Sequence, residues 1–140
     1  MRESYANEWK LCVDRIVDSS LKKNFARAAE AMRNLLDALS EAVLTGQMPE
    51  GLEDAFSRLI DFFYLEKNYT EAEHLCKSLL FAQERILKKG DFRIELSRSR
   101  LLTLKEAQVY KLDETPDSIV SKLDALGKMN FIRQSFSARN

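Results

Sequence analysis

Few residues in this chain have the type and spacing that chemistry needs. The only histidine, His74, stands beside Glu73 and near Glu71, a pairing that suits proton transfer when a reacting group faces it. Its nearest partners at helical spacing are Lys77 and Ser78, which form no recognisable catalytic set, so an exposed helix histidine is the reading. The two cysteines, Cys12 and Cys76, lie 64 positions apart and no Cys-x-x-Cys occurs. A structural zinc site takes four Cys or His ligands, and the chain has three such residues in all. Both cysteines fall on apolar stripes, which predicts buried, inert thiols. No glycine-rich phosphate loop and no Ser-His-Asp or Cys-His arrangement can be assembled. The expectation is a non-enzyme without metal or cofactor. Arg93, Arg98 and Arg100, with Ser97 and Ser99, form one basic cluster. Arg98 and Arg100 are about 200° apart on a helix, while Arg93 and Arg100 share a face. A solvated helix face is the reading, with phosphate contact as the alternative.

The elements that would carry these residues are helical. The 140 residues include only 4 Gly and 2 Pro, too few turns for a many-stranded sandwich or barrel. Apolar residues make up 45%, enough for a single packed domain without a staple. Apolar spacing of three and four predicts a first helix over about 3–22, with Trp9, Cys12, Val13, Ile16 and Val17 inward. A second helix follows the N-cap Asn24 and ends at Gly46. A third covers about 52–66. A fourth follows Asn68, with Lys88 and Lys89 in its last turn and Gly90 closing it. A fifth covers about 91–111, and a sixth opens at Thr115-Pro116 with Ile119, Val120, Leu123 and Leu126 inward. The expected fold is all-α: six helices in three antiparallel hairpins, about 3–46, 51–90 and 91–134, with 136–140 a frayed tail.

A shift of 44 residues brings like onto like. Ile16 falls on Ile60, Leu21 on Leu65, Lys23 on Lys67, Asn24 on Asn68, Ala28 on Ala72, Leu35 on Leu79 and Gly46 on Gly90. A second shift carries Ile60 to Leu104 and Leu79 to Leu123. Matches at apolar, small and turn positions are what a recurring helical hairpin requires.

Within the second copy, Phe63-Tyr-Leu-Glu-Lys-Asn-Tyr-Thr-Glu-Ala-Glu-His-Leu-Cys-Lys-Ser-Leu-Leu80 resembles a tetratricopeptide repeat of the kinesin light chain type. An aromatic, Tyr69, follows a tight turn, and Glu71-Ala72 opens the second helix with a residue small enough for close helix approach. The resemblance is best over 55–87. It departs at Ile60 and Ile16, where the family has a small residue, and at Asp113 and Pro116 in the third copy. It implies a short solenoid; a compact bundle is the alternative.

In that family the first helices of the hairpins line a groove that holds a peptide or partner helix. Position by position, the resemblance implies a groove of Lys10, Asp54, Ser57, Asp61, Tyr64, Arg98, Lys105 and Gln108, with Val13, Val17, Leu21, Leu65 and Leu101 between them. The function it implies is a protein–protein interaction module, an adaptor or scaffold. The alternatives are a chaperone or regulator of a secretion or assembly client and, lower, an RNA-contacting repeat or an enzyme. A homodimer through the ends of the stack is a further expectation. Lys+Arg and Asp+Glu both number 22, a balance that argues against a nucleic-acid partner. The halves differ mildly: 1–70 carry −3 and 71–140 carry +3, and no acid occurs from residue 125 onward, where Lys128, Arg133 and Arg139 lie. The polar start of the chain and the lack of a long apolar run predict no membrane partner and a cytoplasmic setting.

Overall fold

A computed structural model of the protein describes residues 2–109, with side-chain surroundings from Glu8 onward. Among the described residues there are five α-helices and no strand: α1 (Arg2–Leu21), α2 (Phe25–Thr45), α3 (Leu52–Leu65), α4 (Tyr69–Ile86) and α5 (Phe92–Val109). The sixth helix expected at Thr115, the end of the third hairpin and the 136–140 tail lie outside the described residues.

The short turns decide the hairpins. α1 ends with Lys23 in the left-handed region at φ 58°, and α3 ends with Lys67 at φ 59°. In the first turn the Asn24 N–H donates to Ser19 O at 2.8 Å and the Lys23 N–H to Ser20 O at 3.0 Å. In the second, the Asn68 N–H donates to Phe63 O at 2.8 Å and the Lys67 N–H to Tyr64 O at 3.1 Å. These paired bonds are a Schellman termination, which satisfies the last carbonyls of one helix while reversing the chain. The residue that completes each also starts the next helix: Asn24 O accepts from the Ala28 N–H, and Asn68 O from the Ala72 N–H. The caps differ in one respect. Asn24 Oδ1 accepts from the Arg27 N–H at 3.3 Å, whereas buried Asn68 makes no side-chain cap bond.

Two hairpins result, α1/α2 and α3/α4, and they stack with α1 against α3 and α2 against α4. α5 then lies along α4, running antiparallel to it. One apolar core runs through the stack, from Trp9, Cys12 and Ile16 through Met32, Leu35, Phe56, Phe63 and Leu79 to Leu104. Residues 44 apart on the first helices share their burial: Ile16, Ile60 and Leu104 are all interior. α4 departs from a simple amphipathic stripe. Packed by α2, α3 and α5, it buries Leu80, Phe81, Ser78 and Gln83 as well as the expected Ala72, Leu75, Cys76 and Leu79.

The end of α4 corrects the sequence reading. The helix stops at Ile86 because Leu87 turns extended, at φ −84° and ψ 157°. Lys88 and Lys89 therefore lie beyond the last turn. Gly90, at φ 90°, belongs to the connection that leads into α5 and does not close α4.

Lysine pays a steric cost in the left-handed region of about 1–2 kcal/mol, against which glycine's extra unfolded-state freedom weighs about 0.5–1 kcal/mol. Lys23→Gly and Lys67→Gly should each therefore stabilise the protein by about 0.5–1 kcal/mol. Urea unfolding should show a higher midpoint with an unchanged slope.

Candidate interaction face

The first helices turn one side outward. Lys10 and Asp54, 44 apart, are both exposed, and so is Arg98 a further 44 along. The same interval joins Leu21, Leu65 and Val109, which are 59%, 76% and 76% exposed at the C-terminal ends of α1, α3 and α5. Three exposed apolar side chains at corresponding places on three helices are not a packing requirement of any one hairpin.

The remaining expected groove residues do not form a single open row. Asp54 is held by Arg58, one helical turn on, at 2.9 Å. Ser57 and Asp61 both receive the guanidinium of Arg100: Nη1 donates to Ser57 Oγ at 3.2 Å, and Nη2 to Ser57 O at 3.3 Å and to the Asp61 carboxylate. Tyr64 sets its ring edge-on to Tyr69 at 5.4 Å, bracing the turn while staying half exposed. Arg98 points the other way along α4, donating to Glu84 at 2.8 Å and to Glu95 at 2.6 Å. Gln108 also belongs to the α4 side, donating to Glu73 and accepting from Thr70 Oγ1 at 3.5 Å. Lys105 is exposed, Val17 and Leu101 are partly buried against the core, and Val13 is buried. The structure thus brings Ser57 and Asp61 together through Arg100, and separates Arg98 and Gln108 from them.

The arginine cluster has a structural task that the sequence reading did not assign. Arg93 and Arg100 share a face, as their spacing required, and that face meets α3. Arg93 Nη1 donates to Glu53 Oε1 at 2.8 Å, while its Nη2 and Nε donate to Asp91 at 2.8 and 3.0 Å. The other oxygen of Glu53 accepts from Gln83 Nε2 at 2.8 Å, and Gln83 Oε1 accepts from Ser97 Oγ at 2.6 Å. The Cys76 thiol donates to Ser97 O at 3.3 Å. Gln83, Ser97 and Cys76 are buried and Arg93, Glu53 and Asp91 partly exposed, so this chain of bonds runs from the surface at Asp91 into the interior at Cys76 and joins α3, α4 and α5. Its signal in the sequence is the position of Gln83 on the apolar stripe of α4, four residues after Leu79 and seven after Cys76, a polar side chain on an inward face.

Titration follows from these contacts. The side-chain bond from Arg93, aided by the Arg93 backbone N–H, holds the Asp91 carboxyl down to about 2. Burial pushes the Glu73 carboxyl up, but hydrogen bonds from Lys77 and Gln108 outweigh it and leave the group below its usual value. Burial pushes the Cys76 thiol up to about 11, which leaves it a poor nucleophile. His74 is half-buried; its carbonyl accepts from Ser78 Oγ at 2.9 Å, and Lys77 pairs with Glu73. Among the described residues no cluster of three His, Cys, Asp or Glu could hold a metal ion. Among them too, no helix is long and apolar enough to cross a membrane.

The sequence matches no family model, no curated protein and no solved structure.

Gln83→Ala should cost about 1–3 kcal/mol, because it leaves the buried Ser97 hydroxyl unpaired and removes one of the bonds to Glu53. Equilibrium urea unfolding measures it. Acid should loosen the α5 attachment. Asp91 has a lower pKa folded than unfolded, so its stabilisation is complete above about 4 and is lost as pH falls toward 2. Asp91→Asn should flatten the acid limb of the stability curve over that window, as followed by circular dichroism.

Proposed function

We propose that the chain is a non-catalytic protein–protein interaction module, an adaptor or scaffold, that holds a peptide or helix of a partner protein across its first helices. In this reading three antiparallel hairpins build a short tetratricopeptide-like stack. The segment opening at Thr115-Pro116 completes the third of them against α5, whose Phe92, Leu96 and Leu102 are exposed. The setting is cytoplasmic, in keeping with two free, buried cysteines.

The observation that carries the reading is the line of Leu21, Leu65 and Val109 at the ends of α1, α3 and α5, with Tyr64 beside it. Exposed leucines set at one level on neighbouring helices offer an apolar contact that costs solubility unless something uses it. Half-exposed Tyr64 adds an amphipathic ring of the kind that anchors interfaces. The engagement of Arg93, Arg98 and Arg100 by carboxylates of the same chain weighs against phosphate as the partner's binding group. A helix or extended peptide with apolar side chains is the better fit.

The test replaces the apolar line and leaves the ion pairs intact. Leu21→Glu with Leu65→Glu should reduce partner recovery in affinity purification from the native source about thirty-fold, for two contacts of about 1 kcal/mol each. Circular dichroism and thermal unfolding of the variant should match wild type, since both side chains are exposed. Equal recovery of the same proteins by both would refute the face.

A further inference from the structure

The apolar line at the ends of the first helices has a second row beside it. Lys23 stands two residues beyond Leu21, and Lys67 two beyond Leu65; two beyond Val109 the sequence has Lys111, outside the described residues. Lys23 and Lys67 are exposed. They take the left-handed region at φ 58° and 59°, inside turns with equivalent backbone bonds, so the two turns carry them alike. Glycine or asparagine suits that backbone better, so turn chemistry does not account for a lysine at both places. The charge here is also not cancelled as it is between α3 and α5. Lys22 is held by Asp18 at 3.2 Å. Among the described residues Lys23, Arg27 and Lys67 have no carboxylate partner. Apart from Asp18, the one exposed acid of the two turns is Glu66.

This end offers little main chain to a ligand. The carbonyls of Ser19, Ser20, Phe63 and Tyr64 already accept from the turns. An extended peptide laid across them would find few partners for its own N–H and C=O groups, whereas a helix satisfies its own. The spacing suits a helix as well. Packed neighbours such as α1 and α3 stand about 8–10 Å apart, and seven residues of an α-helix rise about 10.5 Å. A helix lying across the ends therefore presents one side chain to each first helix at every second turn.

We propose that the partner segment is an acidic amphipathic helix. Its apolar stripe lies on Leu21, Leu65 and Val109, and Asp or Glu along one flank, recurring about every seven residues, faces Lys23 and Lys67. The inference rests on the function proposed above and names the chemistry of its partner.

A display library selected on the full-length protein tests it. Each member is a three-heptad helix with leucine at the first and fourth positions of every heptad and Glu, Lys, Gln or Ser varied at the flanking positions. Selection on wild type should enrich Glu over Lys severalfold along one flank. Selection on Lys23→Asp with Lys67→Asp should invert that preference; aspartate tolerates the left-handed backbone. A selected Glu-flanked helix, made as a synthetic peptide, should bind Lys23→Gly with Lys67→Gly about fivefold more weakly than wild type, for two exposed charge pairs. That variant is expected to be the more stable protein, so misfolding would not account for the loss, and the difference should shrink at high salt. Binders that are lost with Leu21→Ser and Leu65→Ser but show no charge preference would overturn the acidic flank and leave the proposed function standing. Binders indifferent to both pairs of residues, or no binders, would overturn the face itself. Sedimentation of the protein with vesicles of phosphatidylcholine and phosphatidylserine, with no helix selected, would assign the face to an anionic membrane and overturn the proposal.

Discussion

α4 is enclosed by three neighbours, and that enclosure sets the terms for much of the rest. A helix packed by α2, α3 and α5 has little solvent-facing side on which to place polar groups. Gln83 and Ser78 are nevertheless polar and buried, and a buried amide or hydroxyl without a partner costs about 1–3 kcal/mol. Ser78 turns back to the carbonyl of its own helix. Gln83 has to be met from outside, and the groups that meet it are Glu53 on α3 and Ser97 on α5. Satisfying one side chain therefore fixes where two other helices stand relative to α4. Arg93 closes the arrangement by neutralising Glu53, whose charge would otherwise sit half-buried next to an amide.

This explains why α5 is attached differently from the helices before it. α1 and α3 meet their neighbours through broad apolar contact, with Ile16, Phe56, Leu59 and Phe63 fully interior. Only Ile94, Ser97 and Leu104 of α5 are buried. Its polar bonds compensate for the smaller apolar area, and they are more directional. Apolar packing tolerates small rotations of a helix, whereas Arg93 on Glu53 and Arg100 on Ser57 and Asp61 do not. The same bonds turn Arg98 and Gln108 toward α4, which is why two residues expected beside Asp61 stand elsewhere. Lys10, Leu21, Asp54 and Leu65 on α1 and α3 are exposed, and α5 adds Val109 at its end.

How much of this was legible depended on whether a feature is periodic. Helix identity, the inward stripes of α1 to α3 and the turns at Asn24 and Asn68 could be read, because apolar spacing and turn chemistry repeat locally. The 44-residue shift aligned Lys23 with Lys67, and the structure gives those residues the same left-handed backbone and equivalent bonds. The full burial of α4 could not be read, since a central helix is defined by what packs on its second side. Gln83 and Glu53 are 30 residues apart with no pattern linking them. The face shared by Arg93 and Arg100 was visible in the spacing, but its destination was not; a basic face reads as solvated until the carboxylates opposite it are placed. The extent of α4 was misjudged for a related reason. Lys88 and Lys89 look like a favourable last turn, yet the chain leaves the helix at Leu87, ahead of the connection into α5.

The charge balance takes on a different meaning once these contacts are drawn. Equal numbers of acids and bases could describe a surface with nothing to attract. Here much of the balance is internal: Arg58, Lys77, Arg93, Arg98 and Arg100 each stand against a carboxylate of the same chain. Exposed pairs of this kind contribute little stability one by one. Their larger effect is to remove long-range attraction for charged ligands, because each cation's field is cancelled a few ångströms away. What the C-terminal ends of the first helices then offer is apolar: Leu21, Tyr64, Leu65 and Val109. Burying exposed apolar side chains such as these gains free energy that the paired cations do not offer.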